Sequence, residues 1–76
     1  MKVKVYSTPI CPWCMRVKEF LHENGIPFED IDVSANPDAA KEMVEKSGQM
    51  GVPVVDIDGQ IVVGFNEGKL GELLHL

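Results

Sequence analysis

The feature that most constrains this chain is Cys11-Pro12-Trp13-Cys14, set between a segment that alternates like a strand and one that carries a helical stripe. Upstream, Lys2–Tyr6 reads as a strand with Val3 and Val5 on one face and Lys2, Lys4 and Tyr6 on the other. Ser7-Thr8-Pro9-Ile10 is a loop that delivers the chain to Cys11. Downstream, Pro12 suits the first helical position, where its missing N–H is no loss. Cys14, Val17 and Leu21, widened by Phe20, then fall on one apolar stripe, and Gly25 is a natural stop. At such a strand-to-helix junction the unpaired N–H groups and the helix dipole favour a negatively charged sulfur on Cys11. Cys14 lies one turn further on, facing inward and less exposed. That asymmetry assigns roles: Cys11 attacks a disulfide, and Cys14 resolves the mixed disulfide by attacking Cys11. Pro12 holds the turn so that both sulfurs face the same side.

Other uses of this cysteine pair fit less well. A disulfide across so short a loop removes little unfolded-chain entropy, so stapling is a poor explanation. A secreted miniprotein would spread more cysteines along the chain. Tetrahedral zinc needs four ligands, and His22 and His75, the two histidines, are expected to face solvent. No metal ligand set is assigned.

The remainder of the chain reads as alternating elements without repeats or linkers. Phe28–Val33 alternates, with Phe28, Asp30 and Asp32 on one face and Glu29, Ile31 and Val33 on the other. Asn36-Pro37-Asp38 starts a helix with a cap, a proline and a first-turn acid. Ala40, Met43, Val44 and Ser47 share its face, and Gly48 ends it. Pro53–Ile57 and Gln60–Val63 are apolar runs joined by Asp58-Gly59, a strong hairpin signature. Asn66 caps a last helix with Leu70, Leu73 and Leu74 inward. The order βαβαββα predicts an α/β fold: a parallel, right-handed first crossover, an antiparallel hairpin, and a four-stranded mixed sheet covered by three helices.

With 76 residues the chain suffices for one domain, 1–76, and not for two. A net charge of −5 argues against nucleic-acid binding. No apolar run approaches the roughly 20 residues of a membrane span. Met1 leads straight into the first strand with no secretory leader, so a cytoplasmic home is expected. Arg16 and Lys18 follow the cysteines closely and read equally as a solvated helix face or as substrate-steering charges.

Gly51-Val52-Pro53-Val54 is the second constellation. On position alone, Pro53 reads as a trans proline opening an edge strand, because cis accounts for only about 5–6% of X–Pro bonds.

Together these residues resemble the glutaredoxin and thioredoxin-fold redoxins over nearly the full chain. The likeness is greatest to small bacterial and archaeal glutaredoxin-like proteins, near the redoxins that serve ribonucleotide reductase. It is carried by Tyr6, Cys11-Pro12-Trp13-Cys14, Arg16, Lys18, Ser47-Gly48, Val52-Pro53 and Gly64. The resemblance implies a thioredoxin-like sandwich in which Pro53 is cis and faces the disulfide, reversing the reading from position. It also implies that the Val52 backbone pairs with an extended substrate segment. Three departures stand out. Trp13 replaces the usual Tyr. Thr8 stands where a Lys commonly meets a glutathione carboxylate. Gly64-Phe65-Asn66-Glu67-Gly68 replaces a Gly-Gly pair followed by acids and looks more like the ribonucleotide-reductase redoxins, which take electrons from thioredoxin reductase. Asn66 and Glu67 either meet a glutathione amine or serve as helix cap and first-turn acid. Trp13 reads as a partly exposed contact for a protein partner, and Phe65 either completes that rim or packs beneath it.

The expected function is thiol–disulfide exchange on protein disulfides or glutathione mixed disulfides, by a monomer with no bound cofactor and glutathione as a candidate co-substrate. Arg16 and Pro53 support the cysteines, and Val52, Pro53, Gly64, Phe65, Asn66 and Glu67 line the substrate side. The electron donor is either glutathione or a thioredoxin-reductase-type enzyme. Two rivals come from other classes: an iron–sulfur or metal-binding module sharing a cluster between protomers, and a non-catalytic adaptor, which would have no need for both cysteines.

Overall fold

Three side chains start the three helices. In the computed structural model, which describes residues 1–76, Cys11, Asn36 and Asn66 each occupy an N-cap and accept a backbone N–H three residues on. The elements they open are α1 (Pro12–Glu23), α2 (Pro37–Ser47) and α3 (Glu67–Leu73). Between them run β1 (Val3–Ser7), β2 (Glu29–Asp32), β3 (Val54–Ile57) and β4 (Gln60–Val63). Pro occupies the first turn of both α1 and α2, and Gly48 stops α2 in a left-handed conformation, its N–H bonded to Val44 O.

The strand order is β2-β1-β3-β4. β1 pairs with β2 in parallel, and β3 pairs antiparallel with both β1 and β4. The turn between β3 and β4 has φ 51° at Asp58 and 92° at Gly59, the two left-handed central residues that a tight type I′ hairpin requires. Asp58 also accepts the Lys2 N–H at 2.7 Å, tying the hairpin to the start of the chain.

Alternation along β1 splits the core in two. Val3 and Val5 face α1 and α3, packing with Val17, Leu21, Val55, Ile57, Val62, Leu70 and Leu74. Tyr6 faces α2, packing with Met43 and Val54. The sheet is thus covered on both faces, which gives the expected thioredoxin-like architecture. Strand boundaries move by a residue: β1 runs Val3–Ser7 rather than Lys2–Tyr6, β2 is Glu29–Asp32 rather than Phe28–Val33, and β3 begins at Val54 because Pro53 has no N–H to donate. The inward face of α2 also rotates: Ala39 and Met43 are buried, whereas Ala40 is half-buried. Ala39 sits four residues before Met43, so the two fall on one helix face.

Candidate active site

The site forms where β1 hands the chain to α1. Cys11 is half-buried and Cys14 fully buried, and neither is in a disulfide. The Cys14 N–H donates to Cys11 Sγ at 3.2 Å, aiming a helix-terminal donor at the sulfur where negative charge has to be held. The Met15 N–H bonds Cys11 O at 3.2 Å and closes the first helical turn around that sulfur. Burial pushes the Cys14 thiol up to about 11, reinforced by its contact with Cys11; the Thr8 N–H and Lys18 pull the other way without reversing it. The half-buried and the fully buried cysteine therefore differ in their surroundings, as the sequence asymmetry predicts.

The loop before β3 supplies the opposite wall. The Val52–Pro53 peptide is cis, which bears out the expectation from the resemblance rather than the reading from position. Cys11 Sγ lies 3.9 Å from Val52 O. Pro53 is buried, and its carbonyl accepts the Gly64 N–H at 2.8 Å. Gly64 has φ 77°, a left-handed conformation that a side chain would strain. Trp13, Val52, Pro53, Gly64 and Phe65 line an open cleft of about 260 Å³.

Phe65 resolves as both a rim and a floor. Its ring centroid lies 6.4 Å from that of Trp13 and 5.9 Å, edge-on, from that of Phe20. Arg16 stands over the same ring at 5.9 Å, so its charge is held beside Phe65. Trp13 itself is 60% exposed. Arg16, Phe65 and Glu67 also border a neighbouring hollow with Glu19, Phe20 and Glu23.

Asn66 and Glu67 take the helix-cap and first-turn positions that the sequence offers. Asn66 Oδ1 accepts the Lys69 N–H at 3.1 Å, so its side-chain oxygen serves as the α3 cap. Glu67 is the exposed acid in the first turn of that helix. Lys18, by contrast with Arg16, has its ammonium engaged: it donates to Ser7 Oγ at 3.3 Å and to Asp30 Oδ2 at 3.0 Å. Ser7 and Asp30 carry no motif and were not among the expected site residues. Their meeting depends on the β1–β2 register, which pairs Val5 with Asp30 and Ser7 with Asp32 and so puts Ser7 beside Asp30 on one face. No cluster of three or more His, Cys, Asp or Glu side chains is arranged to hold a metal ion. No helix is long and apolar enough to cross a membrane.

Comparison with known proteins agrees with this geometry. Residues 3–62 match the glutaredoxin family model. The chain is 46% identical to a glutaredoxin-like 8.6 kDa protein of the rubredoxin operon of Clostridium pasteurianum, covering 96% of this chain and 97% of that one. The crystal structure of glutaredoxin grx-1 from Archaeoglobus fulgidus superposes with a TM-score of 0.91 at 34% identity, covering 99% of this chain and 87% of that one. NrdH-redoxin from Escherichia coli, a glutaredoxin-like protein with a thioredoxin-like activity profile, superposes with a TM-score of 0.86 at 27% identity, covering 96% and 95%. A cysteine pair at a helix start, a cis proline against it and this family match lead to one conclusion: the chain belongs to the glutaredoxin family, thiol–disulfide redox proteins built on the thioredoxin fold.

Proposed function

We propose that the protein reduces protein disulfides by dithiol exchange, with Cys11 as nucleophile and Cys14 as resolving thiol. The observation that carries this reading is the asymmetry of the two sulfurs about one helix start. Cys11 keeps partial solvent exposure and receives a backbone N–H, whereas Cys14 is buried. The thiolate of Cys11 attacks one sulfur of the substrate disulfide, and the other leaves with the electron pair. Cys14 then loses its proton and attacks the Cys11 sulfur. The bond from Cys11 to substrate breaks, the substrate leaves as a thiolate that takes up a proton, and the protein is left oxidised.

The cleft suits an extended peptide. Val52 O, close to Cys11 Sγ, is placed to pair with a substrate backbone and bring its disulfide to the nucleophile. Trp13 and Phe65 supply an apolar contact on the far side. The protein acts in this role as a monomer in the reducing cytoplasm, needing no bound cofactor.

A thioredoxin-reductase-type donor is the proposed source of electrons. Thr8 provides no cation for a glutathione carboxylate, and the Asn66 oxygen is occupied by the helix cap. Glutathione is the second reading, favoured by the Arg16 cation beside Phe65. The test offers the oxidised protein NADPH with thioredoxin reductase in one arm, and NADPH with glutathione reductase and glutathione in the other. Trp13 fluorescence reports opening of the adjacent disulfide, and intact mass confirms two added hydrogens. Fast reduction in the first arm alone supports the proposal. Fast reduction by glutathione alone overturns the donor assignment, and no reduction in either arm overturns dithiol exchange.

A further inference from the structure

Resolution requires the buried Cys14 to become an anion, and the residues around it contain one device for that which the cysteine pair does not explain. Lys18 lies one turn beyond Cys14 on α1, so the two side chains share a helix face. A lysine there ordinarily extends its charge to water. Here the side chain is only 26% exposed. Its ammonium is held at 3.3 Å by Ser7 Oγ and at 3.0 Å by Asp30 Oδ2, and the Ser7 hydroxyl donates to Asp30 Oδ1 at 2.8 Å. Ser7 is 2% exposed and ends β1. The next residue, Thr8, has its N–H among the groups that favour the Cys14 anion. The cation is therefore anchored to the strand end that abuts the buried thiol.

As a plain ion pair the contact has little to recommend it. The Asp30 side chain is 47% exposed, and pairs so exposed contribute little to stability. What the triangle achieves is direction: the buried Ser7 hydroxyl draws the ammonium to the end of β1. The charged groups acting around Cys14 are Cys11 at the helix start and Lys18 on α1, with Asp30 of β2 behind Lys18 and the Thr8 N–H on the loop side. Glu19 and His22 border the outer hollow beside Lys18, on its solvent edge.

We propose that Lys18 is a positioning residue for the resolving half-reaction, its ammonium held by Ser7 and Asp30 so that it stabilises the Cys14 thiolate as that thiolate attacks Cys11. This role rests on the exchange mechanism proposed above. In that step the Cys14 proton passes to solvent and a sulfur–sulfur bond forms between Cys14 and Cys11. The bond from Cys11 to substrate breaks, and the electron pair departs with the substrate sulfur. Lys18 exchanges no proton and no electron.

The test separates the two half-reactions. The reduced protein is mixed with 5,5′-dithiobis(2-nitrobenzoate) in a stopped-flow instrument. Attack by Cys11 releases one coloured thiolate, and resolution by Cys14 releases the second. In Lys18→Gln the first phase keeps its rate. The second phase slows about threefold near neutral pH, and its rate–pH profile moves up by about one unit. A tenfold loss of thiolate for each pKa unit is partly offset by the greater nucleophilicity of the more basic sulfur. Lys18→Arg restores the profile, because it keeps the charge. A second phase with the wild-type profile in Lys18→Gln overturns the role, as does a slowing equal at every pH, which reports displaced packing. Absence of a second phase in the wild-type protein itself overturns the exchange mechanism, and the role of Lys18 with it.

Discussion

Cys14 is fully buried and Cys11 half-buried, and that difference has a cost in alkaline solution. Burial lifts the Cys14 thiol from 9.0 to about 11, so the folded protein holds this proton more tightly than the unfolded chain does. The resulting stability is fully present below about pH 9 and is lost as pH rises through about 11. The reduced protein should therefore lose up to about 3 kcal/mol across that window. Lys46 also titrates above its usual value, held protonated first by Asp56 and then by Tyr6 and Glu42, so it adds to the same limb. Cys14→Ser isolates the cysteine's part: denaturant unfolding of the variant should show a shallower alkaline decline than wild type. Parallel curves would contradict it. Asn66 offers a second test at this scale. Its oxygen caps α3, so Asn66→Ala should cost about 1 kcal/mol, whereas Asn66→Ser should keep both stability and the KM for any thiol donor. A raised KM in the serine variant would restore Asn66 to the binding side.

At the scale of elements, α2 is fixed to the sheet by a polar cluster as well as by Met43. Tyr6 donates its hydroxyl to Glu42 at 3.0 Å. Lys46 donates to Tyr6 at 3.0 Å and to Asp56 at 2.7 Å, and it pairs with Glu42 at 2.9 Å. Burial alone would raise the Asp56 carboxyl, but Lys46 and the Gly59 N–H outweigh it and hold it below its usual value. Lys46→Met removes the partner while leaving Asp56 8% exposed, an unpaired charge that should cost about 2 kcal/mol. The loss should be greatest above the ordinary carboxylate range and shrink as acid protonates Asp56. Thermal unfolding at neutral and acid pH checks this, and a pH-independent loss would place the effect in packing instead. Nothing in the sequence announces this cluster. Asn36-Pro37-Asp38, Gly48 and Asp58-Gly59 are local signals, and each falls where the chain turns. The meeting of Tyr6 with Lys46 and Asp56 depends instead on which face of α2 meets the sheet. One helical position separates the expected Ala40 from the buried Ala39, and apolar spacing does not resolve such a rotation when both residues are alanine.

Over the whole molecule, the site was legible in proportion to how local its chemistry is. The proposed roles of Cys11 and Cys14 are read from a helix start and a spacing of one turn. The cis bond before Pro53 was legible only through resemblance, because position favours trans. The contact of Phe65 with both Trp13 and Phe20 required the sheet to bring the start of α3 against α1. The Ser7–Lys18–Asp30 triangle needed strand register and was invisible before it. The whole account turns on the claim that Cys11 attacks and Cys14 resolves, and trapping tests it most directly. Cys14→Ser is mixed with a protein-disulfide substrate, the products are alkylated, and intact and peptide masses locate the adduct. The account predicts a stable mixed disulfide on Cys11, with Cys11→Ser giving neither adduct nor exchange. Cys14→Ser that turns over protein disulfides like wild type, or a substrate adduct carried by Cys14 in Cys11→Ser, would contradict it.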